Sequence, residues 1–255
     1  MEPVVGQVLH PEYQYGLVIL SYVISVFGSF VALQCAQSMV RPDGKTDWPM
    51  TIGAAISLGG VGIWTMHFVG MIAYKVKVDI GYALIPTAIS LVAAIVIAGI
   101  ALFLAGGRGY FRVSGWLMGS VLAGVGVAVM HYLGTYAMSL RATLTLEPEM
   151  VAASVGIAIV ASMAALWLAF HVSKFVHRLL AACAMGVAVC AMHYVGMNAM
   201  NLICTATEPS DYMVLRGQDI HLWTLVIAGA VLSYIYFLAM TRAIKHYVAD
   251  RKGSA

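Results

Sequence analysis

The chain has 255 residues, 62% hydrophobic and only 10% charged, with a formal net charge of +3. Soluble domains carry about 25% charged residues, so the composition excludes an ordinary water-soluble domain and places the chain in lipid. The basic residues form no stripe outside a short C-terminal run, which argues against nucleic acid as a partner.

A helix needs about 20 apolar residues to cross the hydrocarbon of a bilayer. Seven such runs follow one another, near 15–39, 50–73, 83–105, 113–139, 150–172, 179–201 and 221–243. No basic segment precedes the first run, so it is expected to stay in the membrane rather than leave as a signal peptide. Polar turns separate the spans at Arg41-Pro42-Asp43-Gly44-Lys45-Thr46-Asp47 and Gly106-Gly107-Arg108-Gly109, and Pro148 and Pro209 punctuate later loops. Trp48, Tyr74, Tyr82, Tyr110, Trp116 and Trp223 fall near span ends, where amphipathic rings favour the membrane–water boundary.

With the N-terminus outside, the inner loops and tail hold ten of the basic residues: Arg41, Lys45, Arg108, Arg112, Lys174, Arg178, Arg242, Lys245, Arg251 and Lys252. The outer side holds four, namely Lys75, Lys77, Arg141 and Arg216. That asymmetry predicts an N-out, C-in protein of an inner (cell) membrane.

Span two carries Met66-His67-Phe68-Val69-Gly70-Met71. The pattern returns as Met130-His131-Tyr132-Leu133-Gly134-Thr135 in span four and Met192-His193-Tyr194-Val195-Gly196-Met197 in span six. The histidines are 64 and 62 residues apart, a period that marks an internally repeated architecture. A glycine stands seven residues before each (Gly60, Gly124, Gly186), another three after (Gly70, Gly134, Gly196), and an alanine six after (Ala73, Ala137, Ala199). The predicted fold is therefore an all-α membrane protein over residues 1–243. It comprises three repeated helical hairpins (about 15–77, 83–142 and 150–203) and a seventh helix at 221–243, with 244–255 left as a short basic cytoplasmic tail. Parallel repeats of this kind can surround an axis along the membrane normal, which would bring the three histidines together in the outer leaflet.

Ionisable residues inside spans mark functional sites by default. His67, His131 and His193 are accordingly the candidate metal ligands. Methionine sulfur lies one turn away at Met71 and Met197, and at the margin at Met66, Met130 and Met192; filling of core space is the competing reading for all five. Imidazole with thioether is the donor set of copper, Cu(I) above all, and no carboxylate lies in the spans to hold a hard cation. The glycines read as helix-packing residues, and Phe68, Tyr132 and Tyr194 as packing against adjacent helices. His10, His171, His177, His221 and His246 read as interfacial or solvated, and Cys35, Cys183, Cys190 and Cys204 show no metal or disulfide spacing. No nucleophile elbow, phosphate loop or HExxH motif is present, so no enzymatic activity is expected.

The triple Met-His-aromatic pattern resembles the MHYT domain, a bacterial integral membrane sensor module, over roughly residues 15–243. Val69, Leu133 and Val195 stand where that name has threonine, and Phe68 replaces the first tyrosine. The resemblance implies a copper centre near the outer face that senses a diatomic gas: oxygen, carbon monoxide or nitric oxide. It also implies output to cytoplasmic domains that make or break cyclic di-GMP, through a separate partner or a fused effector beyond this chain. A metal-ion or small-solute transporter using the same histidines is the alternative, and a third reading has them merely tying the hairpins together.

Overall fold

The computed structural model describes residues 4–107, 111–207, 213–215 and 218–253. Arg108, Tyr110, Pro209 and Arg216 lie outside these residues, as do the side chains of His221, Trp223, Lys245, His246, Arg251 and Lys252. Among the described residues, six helical spans of 22–26 residues are long and apolar enough to cross a membrane. At 1.5 Å per residue they reach about 33–39 Å, enough for a hydrocarbon layer of about 30 Å. The chain is thus a multi-pass membrane protein.

The first span is α1 (Tyr15–Ala36). The second joins α2 (Trp48–Ala55), a π-helical segment (Ile56–Thr65) and α3 (Met66–Ala73). Then come α4 (Leu84–Gly106), α5 (Val113–Tyr136), α6 (Pro148–His171) and α7 (Phe175–Asn198). Each span packs on the next, and α7 packs back on α1, so the six close into a ring. A further helix, α8 (Gln218–Gly253), leans on α1 and the π segment. Leu232, Ile235 and Ala239 of α8 are buried there with Phe30, Leu33 and Ala54. The seventh predicted run falls on this helix, part of whose side chains are outside the described set.

The second span differs from the regular α-helix expected of it. Over Ile56–Thr65 the turn widens, and the Thr65 hydroxyl donates to the carbonyl of Gly60, five residues back, at 2.9 Å. Glycine makes the widened turn possible against its neighbours. A Cβ at Gly28 of α1 would overlap the backbone of Gly62, and one at Gly59 would overlap the Ala94 carbonyl of α4. π segments often sit at functional sites, and this one ends where Met66-His67 begins.

The connections at one end of the ring are not the plain loops of an all-α protein. β1 (Glu12–Tyr13) pairs with β2 (Tyr74–Lys75), and β3 (Gly81–Ala83) lies between β4 (Met138–Ser139) and β7 (Val214–Leu215). β5 (Ala142–Leu146) pairs over its whole length with β6 (Met200–Cys204). Chain leaving α3, α5 and α7 has backbone groups to satisfy, and these antiparallel ladders satisfy them. Beneath them Met71, Tyr74, Tyr82, Met197 and Leu202 form a buried apolar layer. Burial pushes the phenols of Tyr13 and Tyr74, in β1 and β2, up to about 12.

At the other end, Asp47 caps α2, its side chain accepting from the Met50 backbone N–H at 3.2 Å. One guanidinium nitrogen of Arg242, from α8, donates to both oxygens of the same carboxylate, at 2.5 and 2.6 Å. Arg178 of α7 donates to Gln34 of α1 and to Gln37, the residue just past its C-terminal end.

Candidate metal centre

His67 sits on α3, His131 on α5 and His193 on α7, each five or six residues before its helix ends. That common setback is about 8–9 Å along each helix, so the three imidazoles share one level under the strand-capped end. Inside the ring these three helices touch one another. All three side chains are buried, with relative exposures of 0%, 0% and 1%.

The Nδ1 atoms form a triangle, 3.1 Å between His67 and His193, 3.2 Å between His131 and His67, and 3.3 Å between His193 and His131. The rings meet edge to face, with centroids 5.0–5.2 Å apart. A ring nitrogen of neutral imidazole either donates or accepts, never both. A triangle cannot be divided into alternating donors and acceptors, so at least one of the three contacts must bring like against like. A cation shared by three accepting nitrogens removes that conflict. Among the described residues, these three are the group of His, Cys, Asp and Glu side chains placed to hold a metal ion.

The opposite nitrogens reveal a feature that sequence reading assigned elsewhere. None of the three Nε2 atoms has a hydrogen-bond partner of good geometry. Each abuts a glycine of another repeat: His67 against Gly134, His131 against Gly196, His193 against Gly70. A Cβ at any of these glycines would overlap the imidazole edge. The glycines three residues after each histidine are therefore part of the site, not only helix packing. The signal was their fixed spacing. What could not be read is that each serves the histidine of a different copy, in cyclic order.

The glycines seven residues earlier do pack helices: Gly60 faces the Ile95 side chain, Gly124 the Ile159 backbone, and Gly186 Val26 and Tyr22. The tyrosines after His131 and His193 likewise meet an adjacent helix, whereas the Phe68 ring packs on Trp64 of its own span and Tyr82 of β3. Tyr132 shares a hydrogen bond with Ser154 of α6 at 2.7 Å, and Tyr194 with Ser21 of α1 at 3.0 Å. Phe68 has no hydroxyl, and Trp64, one turn earlier, donates its indole N–H to Ser90 of α4 at 3.0 Å. Ser21, Ser90 and Ser154 are each the seventh residue of their helix, so indole replaces phenol at an equivalent place.

The methionines divide by position. Met71 and Met197 belong to the buried layer on the strand side of the imidazoles. Met130 packs with Ile63 and Ala94 on the opposite side, Met192 lines a cavity there, and Met66 is buried. Of the other histidines, His10 and His177 are exposed, and exposed His171 stacks on Trp167 at 4.4 Å.

The fold and site define a class: a multi-pass helical membrane domain with three repeated motifs and a buried trihistidine cluster. The MHYT family, described as a bacterial signalling protein N-terminal repeat, matches residues 60–115, 124–182 and 186–244, and the chain belongs to that family. Each matched repeat begins at the glycine seven residues before a histidine, at Gly60, Gly124 and Gly186. The chain is 35% identical over 193 residues to the bifunctional diguanylate cyclase/cyclic di-GMP phosphodiesterase MucR of Pseudomonas aeruginosa, covering 74% of this chain and 28% of that protein. It is 28% identical to the signaling protein YkoW of Bacillus subtilis, over 96% of this chain and 30% of that one. The cyclic di-GMP phosphodiesterase NbdA of Pseudomonas aeruginosa is 30% identical, over 90% of this chain and 30% of its own length. The chain thus spans less than a third of these curated relatives. No solved structure matches it. It is a membrane signalling domain of the MHYT type.

Proposed function

We propose that this chain senses a small diatomic gas at a copper centre and passes the signal to an effector in the cytoplasm. His67, His131 and His193 hold the metal through Nδ1. A methionine sulfur completes the set, with Met71 and Met197 on one side and Met66, Met130 and Met192 as the remaining candidates. The Nδ1 triangle is the observation that carries this reading. Two nitrogens on one tetrahedral ion with bonds of about 2.0–2.1 Å stand about 3.3–3.4 Å apart, and the separations of 3.1–3.3 Å lie within about 0.3 Å of that. When bound, copper would supply a redox-active ion able to react with an uncharged diatomic. The protein's own part is to keep water away and to fix the imidazoles, through the glycine contacts at Nε2 and the tyrosine–serine and tryptophan–serine bonds between helices.

In this reading the strand-capped end faces outward in the inner membrane and α8 leads into the cytoplasm. The effector makes or degrades cyclic di-GMP, in line with the names of the MucR and NbdA relatives. Signal passes from α3 through the π segment to α2, whose capping Asp47 is held by Arg242 of α8. Ligand shifts such a system only by binding its two states unequally. The transporter reading finds no such support, since the spans next to the imidazoles offer Ile63, Val127 and Val189 where a polar path would be needed. Metal analysis of the purified protein, alone and with each histidine changed to alanine, tests the proposal. Copper at one ion per chain in the parent and none in the variants is the expected result; parent protein that takes up no copper refutes it.

A further inference from the structure

One turn from the imidazoles, on the side away from the strands, the helices line a partly open cavity of about 50 Å³. Ile63, Val127 and Val189 line it, each four residues before one of the three histidines. They therefore stand on the histidine-bearing faces, between the cavity and the cluster. The remaining wall is largely alanine, with Ala98 of α4 and Ala158 of α6 buried in it, and Ser162 is its one polar side chain. A larger residue at any of these alanines would fill the space.

The chemistry of the lining selects the occupant. A buried water needs two to four polar partners, and apolar cavities stay dry. One serine hydroxyl does not meet that need. The volume sets the size: an apolar cavity of roughly 150 Å³ admits benzene or xenon, and this one is about a third as large. It exceeds the roughly 10–15 Å³ that one water centre requires. We propose that this cavity is a binding site for a single apolar molecule no larger than xenon, of the diatomic-gas class, held behind the Ile63–Val127–Val189 ring. The assignment of a physiological gas rests on the sensory reading above; the existence of the site does not.

Xenon is the probe, applied under pressure to the full chain in nanodiscs, in metal-free and copper-loaded forms, and followed by xenon NMR and methyl shifts of the lining alanines. Saturable xenon binding that shifts the Ala98 and Ala158 methyl signals, and that is lost in Ala158→Leu with copper loading unchanged, supports the site. Ala98→Val, a smaller filling, should weaken xenon binding if the leucine variant fails to fold. Carbon monoxide should displace xenon from the metal-free protein. Absence of xenon binding in the parent, binding indifferent to both fillings, or magnetisation transfer from lipid acyl chains to the Ala158 methyl overturns it. Xenon bound without any copper uptake would sink the metal centre and leave the cavity; copper taken up without xenon would do the reverse.

Discussion

Gly134→Ala tests the site most directly, because it replaces no candidate ligand. The added Cβ would stand 2.5 Å from Nε2 of His67, where ordinary contact needs about 3.4 Å or more, so the imidazole must give by about 0.9 Å. It cannot retreat along its own axis. Its Nδ1 already lies 3.1 and 3.2 Å from those of His193 and His131. The ring must swing aside instead, while metal–ligand distances hold to within about 0.2 Å. Misorienting a ligand lowers metal affinity by an amount on the scale of losing an outer-shell partner, about 10–100-fold, and the overpacking itself costs about 1–3 kcal/mol. Gly156→Ala is the control: it lies in α6 with open space at its Cβ, and should gain up to about 1 kcal/mol of helix propensity. Competition titration with a chromogenic chelator reads the affinity, and thermal unfolding reads the cost. A Gly134→Ala protein with undiminished metal affinity would mean that the imidazole edges are not wedged as described. The same follows for Gly70→Ala on His193 and Gly196→Ala on His131.

Three further outcomes follow from other parts of the structure. In the parent, metal at about 100 times its dissociation constant should raise stability by about 2.7 kcal/mol; in His131→Ala added metal should leave the unfolding temperature unmoved, and an unchanged rise would exclude His131 as a ligand. Trp64→Phe and Tyr194→Phe each remove one interhelical hydrogen bond, to Ser90 and Ser21, at about 1 kcal/mol apiece. A double variant costing clearly more or less than the sum would show that the two contacts are not independent. Burial holds Tyr13 and Tyr74 protonated up to about 12 against 10 for a free phenol. Between those values the unfolded chain gives up protons that the folded one keeps, so stability falls as pH rises from about 10 toward 12. Tyr13→Phe should flatten that slope in thermal melts run across the range.

Much of this was legible in the sequence because a repeat carries its own geometry. Three motifs at nearly equal spacing, in spans of one orientation, place His67, His131 and His193 at one depth, and a closed ring of helices does the rest. The spacing of Gly70, Gly134 and Gly196 was equally visible. Their role was hidden because it depends on how far each imidazole reaches across the ring, which no single helix encodes. The π segment left only a weak trace, the glycines of Gly59-Gly60-Val61-Gly62, since its wider turn is stabilised by fit against α1 and α4 rather than by local preference. The strand ladders were hidden for a similar reason. β3 joins β4 and β7 from distant parts of the chain, and at two or three residues these carry no periodicity to read; only the five-residue β5, Ala142-Thr143-Leu144-Thr145-Leu146, alternates in sequence.

The three copies are alike at the histidines and unlike elsewhere, and the differences gather on the first. Only Phe68 lacks the hydroxyl of its counterparts, and its helix contains the π segment. That same span carries Asp47, to which Arg242 fastens α8. In the proposed function, displacement at the cluster would reach α8 along this span, whose midsection already departs from regular α geometry. Arg242→Ala probes that route. The exposed side of this ion pair limits its contribution to about 1 kcal/mol, so the fold and the metal affinity should survive. Amide exchange in the C-terminal half of α8 should become faster and should lose any dependence on metal. Exchange that still responds to metal as in the parent would show that α8 is coupled to the cluster through its packing on α1 and not through Asp47.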